Sequence, residues 1–170
     1  MVLEHDRLTA TGVAIGSEHE PYRLDYTLET VAGFVTSRIN VTSRGQGWTR
    51  SLDLHRSTAG TWTATGDANV ELPALAGALD CDLGQSPLTN SMPVLRHRLL
   101  AGGGPLDFVM AWISVPDLMV HTSGQRYTFI RSQGAHSLIR YESTDSDFSA
   151  DLTFDEDGLV VDYPGIGRRL

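Results

Sequence analysis

Two-residue alternation of apolar and polar side chains constrains this chain more than any other feature. In YRLDYTLE, Tyr22, Leu24, Tyr26 and Leu28 fall on one face, with Arg23, Asp25, Thr27 and Glu29 on the other. A strand with one buried face requires that pattern. DFSADLTF repeats it, setting Phe148, Ala150, Leu152 and Phe154 against Ser149, Asp151 and Thr153. FVTSRINV, GWTRSLDLH, GTWTATG, DLMVHT, QRYTFIRS, SLIRYES and GLVVDY are comparable, and most are bounded by Gly, Pro, Asp or Ser. This makes about ten short strands at hairpin spacing, and no long run keeps a helical period. The expected fold is all-β and mainly antiparallel: a curved sheet or incomplete barrel, with a short helical or irregular segment as lid or plug.

One run breaks the alternation. FVMAWISV, Phe108 to Val115, is apolar on both faces, so both sides of the sheet should be covered there. Two segments are available as cover, ELPALAGALD and PLTNSMPVLRHRLL, the latter spanning Pro87 to Leu100. The prolines of the second forbid a sheet centre and permit a short helix starting near Pro93. A sheet curled around such a segment leaves a cavity wherever the segment does not fill the concave face. The glycines of AGGGP, Ala101 to Pro105, lack both a preceding strand and a following lysine, so they read as a bend and not as a phosphate cradle. TATG occurs at Thr9 to Gly12 and again at Thr63 to Gly66, either by duplication of half a sheet or by chance.

A chain of 170 residues is long enough to bury a core without staples, and no Pro/Ser linker divides it, so residues 1–170 read as one domain. The single Cys81 rules out an internal disulfide and any multi-cysteine metal site. MVLEHDRLTATG carries no export pattern and no stretch is long and apolar enough to span a bilayer, so the protein reads as soluble and cytoplasmic. All 13 basic residues are arginine. Without lysine, neither a P-loop nor a Schiff-base centre can be built. The net charge of -8 argues against duplex nucleic acid, which demands a basic patch.

Catalytic patterns are sparse. G-x-S-x-G does not occur, and none of the six histidines forms H-x-H or H-E-x-x-H. His19, between Glu18 and Glu20, reads as part of an exposed turn. TFDEDGLVVDY has the wrong glycine position for a calcium loop and fits a hairpin with an Asp-Gly turn. No cofactor and no metal are expected, although two carboxylates could still meet in a cavity as acid and base.

The polar residues of the Pro87 to Leu100 segment have two readings. Asn90 either caps a short helix or faces a ligand; Arg96 and Arg98 either pair with Asp80 and Asp82 or hold an acidic or hydroxylated head group. Trp48, Trp62 and Trp112 are likewise either core or a platform for a sugar or amphipathic ligand.

DCDLGQSPLTNSMPVLRHRL, Asp80 to Leu99, resembles the signature of a bacterial family known as putative glycolipid-binding, with its Asp-x-Asp-Leu, Ser/Thr-Pro, Thr-Asn, Pro and arginine-rich end. VPDLMVHTSGQRYTF and DEDGLVVDYPG are similar to two further blocks of that family. Leu95 and His97 interrupt the arginine-rich end, so the arginine that takes the family's usual place is open. The resemblance implies an incomplete antiparallel barrel like those of bacterial lipoprotein carriers, and no established reaction.

The expected function is therefore binding of a lipid, glycolipid or similar amphipathic small molecule in a cavity. The candidate ligand-binding residues are Asp82, Thr89, Asn90, Arg96, Arg98, Gln125, Tyr127, Trp48, Trp62 and Tyr163. Two alternatives stay open: a small-molecule enzyme using cavity carboxylates or histidine, and a protein-interaction module with a filled core. A homodimer is the assembly the second alternative implies.

Overall fold

A computed structural model describes residues 1–17, 20–67 and 72–169. Its first half is an antiparallel meander of β1 (Val2–Leu3), β2 (Leu8–Gly16), β3 (Tyr22–Val31), β4 (Val35–Gly45), β5 (Trp48–Arg56) and β6 (Trp62–Gly66), hydrogen-bonded in chain order. The second half contains β7 (Asp80–Leu83), β8 (Leu106–Ile113), β9 (Val120–Gln133), β10 (His136–Ser143), β11 (Ser149–Phe154), β12 (Val160–Tyr163) and β13 (Gly167–Arg168). These form a second sheet in the order β13-β12-β11-β10-β9-β8-β7, which curls into a half-barrel. The register slips between Leu138 and Ile139, where β10 pairs with β9, and again where β11 pairs with β12. Such irregularities bend a sheet. Among the described residues no helix is long and apolar enough to cross a membrane.

The alternation places side chains as the sequence requires. Along β3, Tyr22, Leu24 and Leu28 are buried while Arg23 and Thr27 are exposed. The loop of TFDEDGLVV is the expected hairpin turn between β11 and β12. Gly158 there has φ +77°, and its amide donates to the Asp155 carbonyl at 3.1 Å. The AGGGP bend is likewise present, with positive φ at Gly102, Gly103 and Gly104.

One pairing is not antiparallel. β7 runs parallel to β8, with Asp80 beside Met110 and Asp82 beside Trp112. Parallel neighbours cannot be joined by a tight turn, so the chain must cross over. The Pro87 to Leu100 segment lies within that crossover. It holds a 3-10 turn (Pro87–Asn90), the helix α1 (Ser91–Arg96) and the start of a second 3-10 turn (Leu99–Ala101). The helix thus begins two residues before the expected Pro93, which sits inside its first turn, where a missing N–H costs nothing.

This segment is a plug more than a lid. Met92 belongs to the core cluster that holds Leu8, Leu28, Ile39 and Leu54 of the first sheet, while Val94 and Leu99 join Tyr127, Ile139, Leu152 and Phe154 of the second. β8 is shared in the same way, because Ala111 and Ile113 belong to the first cluster and Met110 to the second. Both faces of the apolar run are therefore covered as expected, with Val109, 38% exposed, as the exception. Leu75 and Ala78 of the other proposed cover also enter the first cluster. The opening residues form β1 and β2. The two TATG strings fall in β2 and β6 of one sheet. His19 lies outside the described residues.

Candidate functional site

The concave side of the second sheet gathers polar residues from three separate parts of the chain. Gln125 and Tyr127 are two apart on β9 and so share a face. Thr89 and Asn90 reach them from the 3-10 turn of the plug, and Asp82 from β7. Asn90 Nδ2 donates to the Tyr127 hydroxyl at 3.0 Å, and that hydroxyl donates to Gln125 Oε1 at 3.0 Å. Gln125 Nε2 in turn donates to Asp82 Oδ2 at 2.7 Å. The Thr89 hydroxyl lies 2.8 Å from Asp82 Oδ1 and 3.0 Å from the Ser86 carbonyl, and it accepts the Leu83 amide at 3.3 Å. A buried chain of this kind is rigid because each member fixes the next.

Above this floor opens a cavity of about 510 Å³, a size typical of small-molecule sites. Asp82, Asn90 and Ser86 lie at its base, Trp112 and His121 on one wall, and Tyr141, Phe148 and Tyr163 on another. Trp112 and His121 are cross-strand partners whose rings sit 5.2 Å apart. Tyr141 contacts Tyr127, Phe148 and Tyr163 with centroids 5.5, 5.9 and 6.2 Å away. Asp82 keeps an edge open to the cavity while protein encloses the rest of its carboxyl. Burial pushes that carboxyl above the usual aspartate value, and the Thr89 and Gln125 donors pull it only partly back. Burial, reinforced by the charge of Asp82, likewise raises the Tyr127, Tyr141 and Tyr163 phenols, so they remain neutral. No arginine lines this cavity.

A second cavity, of about 500 Å³, lies on the other side of the plug's entry turn. It is lined by Ala14, Ile15 and Tyr22 of the first sheet, Leu88 of the plug, and Val160 and Val161 of β12, with Arg168 and Arg169 beside them, paired with Asp162 and Asp155. It therefore occupies the seam where the β2 side of one sheet faces the β12 side of the other. Gln85 and Ile166 line both cavities, so the apolar one and the aromatic one adjoin.

Six of the ten residues singled out from the sequence gather at the aromatic cavity. Asp82, Asn90 and Tyr163 line it, and Thr89, Gln125 and Tyr127 form the network beneath. Asn90 occupies the N-cap position of α1 but makes no side-chain cap bond; its backbone is already helical, at φ -69° and ψ -13°, where a capping residue is normally extended. The other four are elsewhere. Arg96, expected on the rim, holds Asp80 with both terminal nitrogens, Nη1 to Oδ1 at 2.9 Å, and its side chain is only 11% exposed. Its Nη1 also reaches the Gly33 and Phe34 carbonyls. Arg98 is exposed with φ 51° and borders a small cleft beside Glu156 and Asp157. Trp62 donates its indole N–H to the Ala78 carbonyl at 3.2 Å, and Trp48 lies under Arg50, 4.1 Å from its ring. Asp82 pairs with no arginine; its partners are neutral.

Tyr141, Phe148, His121 and Asp145 were not singled out, although all four line the cavity. Tyr141 carries the inward phase of β10, which is also the phase of ordinary core residues, and Phe148 immediately precedes β11 and is 47% exposed. No sequence signal separates a cavity wall from a core position.

Together these features define a class: a plugged antiparallel β half-barrel with an apolar and an aromatic cavity side by side. The chain belongs to the family described as Putative glycolipid-binding, whose model matches residues 1–169. It is similar to the crystal structure of a DUF1089 family protein from Pseudomonas aeruginosa, with 32% identity and a TM-score of 0.76 over 99% of this chain and 89% of that one. No curated protein matches it.

Proposed function

We propose that this protein binds an amphipathic small molecule of the glycolipid kind, with its apolar part in the seam cavity and its head group in the aromatic cavity. The observation that carries this reading is the adjacency, across Gln85 and Ile166, of a cavity walled mainly by aliphatic side chains and one walled by aromatic rings and hydrogen-bonding groups. An amphiphile needs both surfaces at once, and a purely apolar or purely polar ligand would use one. Burial of the chain supplies the driving force, about 25 cal/mol per Å² of apolar surface, and the hydrogen-bonding floor selects the head. The family's description supports the same class of ligand.

Native mass spectrometry of gently purified protein tests the reading. The expected result is an adduct that collapses to the apo mass on denaturation and yields an acyl-bearing compound on extraction. Val161→Glu, at a half-buried position of the seam cavity, should abolish the adduct while the far-ultraviolet circular dichroism stays that of the parent, because a carboxylate there would have to be desolvated by the chain. Repeated preparations with no adduct, together with no binding of added alkyl glycosides, would overturn it.

A further inference from the structure

We infer that the aromatic cavity takes an uncharged glycosyl head group and turns away phosphate and sulfate, with Asp82 as the selecting carboxylate. This rests on the amphiphile-binding reading and names the class of head group.

The cavity offers the mixture of donors and acceptors that sugar hydroxyls need. At the floor, each Asp82 oxygen accepts one hydrogen bond, from Thr89 or from Gln125, which leaves further lone pairs on the side open to the cavity. Asn90 is 3% exposed and lines the cavity; its Nδ2 is taken by Tyr127, but among the described residues no hydrogen bond reaches its Oδ1. This oxygen is not sealed from solvent, so a ligand hydroxyl that donates to it takes the place of water. At the rim, Ser143 and Ser146 accept the amides of Asp145 and Phe148 at 3.2 and 3.3 Å, so their hydroxyl protons can donate outward. The apolar face of a pyranose ring has the Trp112 indole and the Tyr141 and Phe148 rings to rest on.

An anionic head group meets the opposite arrangement. Arginine is this chain's only strong cation, and none lines this cavity, whereas the carboxylates of Asp82 and Asp145 do; Arg168 and Arg169, in the adjoining seam cavity, are already paired with Asp162 and Asp155. A phosphate would sit beside Asp82 in a poorly solvated site with no guanidinium to neutralise either charge. A quaternary ammonium would tolerate the carboxylates and the rings, but would leave Asn90 Oδ1 without a donor and the rim hydroxyls without acceptors. The neutral polyol satisfies all three sets of groups.

The test uses octyl β-glucoside, octyl phosphate and octyltrimethylammonium, each below its critical micelle concentration, titrated calorimetrically into the full chain. The glucoside should bind about tenfold or more tightly than the phosphate and more tightly than the ammonium compound. Asp82→Asn, which keeps the shape and removes the charge, should narrow the glucoside-to-phosphate ratio to about threefold or less. Phosphate binding equal to or tighter than glucoside in the parent chain, an undiminished ratio in Asp82→Asn, or preference for the ammonium compound would each overturn the inference while leaving amphiphile binding in place. Failure of all three probes to bind would instead remove the underlying reading. If Asp82→Asn does not fold, the parent-chain ratios decide.

Discussion

At the scale of single residues, Asp82 is the group with the most unusual surroundings. Because burial raises its carboxyl above the unfolded value, Asp82 gives up its proton at a higher pH in the folded chain than in the unfolded one. The sign follows: its contribution to stability is greatest below the ordinary aspartate range and is lost as pH rises through the folded value. The stability of the parent relative to Asp82→Asn should therefore be highest in acid and decline toward neutrality, measured as denaturant midpoints across pH. A difference that stays flat, or grows with pH, would contradict the burial argument. Tyr127→Phe probes the same network without touching charge. It removes the acceptor of Asn90 and the donor to Gln125, which should cost about 1–3 kcal/mol in urea unfolding. The participation of Asn90, Gln125 and Tyr127 was open to the sequence because polar residues stood inside otherwise apolar or proline-bearing blocks. Arg96 stood in such a block as well, and it went to Asp80 instead.

At the scale of elements, the plug decides the architecture. Its clasp is the Asp80–Arg96 pair, which ties α1 to β7 and to the Gly33 and Phe34 carbonyls before β4. Removing one partner of a buried pair strands the other, so Asp80→Ala should cost about 3–5 kcal/mol. Met92→Ala, at a fully buried position, should cost about 2–5 kcal/mol through the cavity it leaves. Both changes should speed amide exchange in Ser91 to Arg96 before they affect β9 or β10. The two-faced burial of β8 was legible because a run apolar on both phases can satisfy itself only between two layers. Its parallel pairing with β7 was not, since the same apolar run would suit an antiparallel neighbour equally well. The plug's prolines told against strand, but whether it sat over the cavity or inside the core depended on how far apart the two sheets stand.

At the scale of the whole molecule, two sheets share one plug and leave a seam between the β2 side of one and the β12 side of the other. β1 and β13 are two-residue strands at the outer edges of their sheets, so their amides should exchange fastest, and the central β4 and β10 slowest. Binding of octyl β-glucoside should protect β12 and β13 and the nearby end of β2, because these border the seam cavity. Protection confined to β5 and β6 would place the ligand elsewhere. Strand phase, turn positions and the need to cover Phe108 to Val115 were determined by the sequence alone, because each depends on neighbours within a few residues. The convergence of Asp82, Asn90, Gln125 and Trp112, and the burial of Arg96 away from them, were decided only by the tertiary structure. Those outcomes depend on which distant strands meet and on the space left between them, and alternation by two records the face a side chain takes without recording what it will find there.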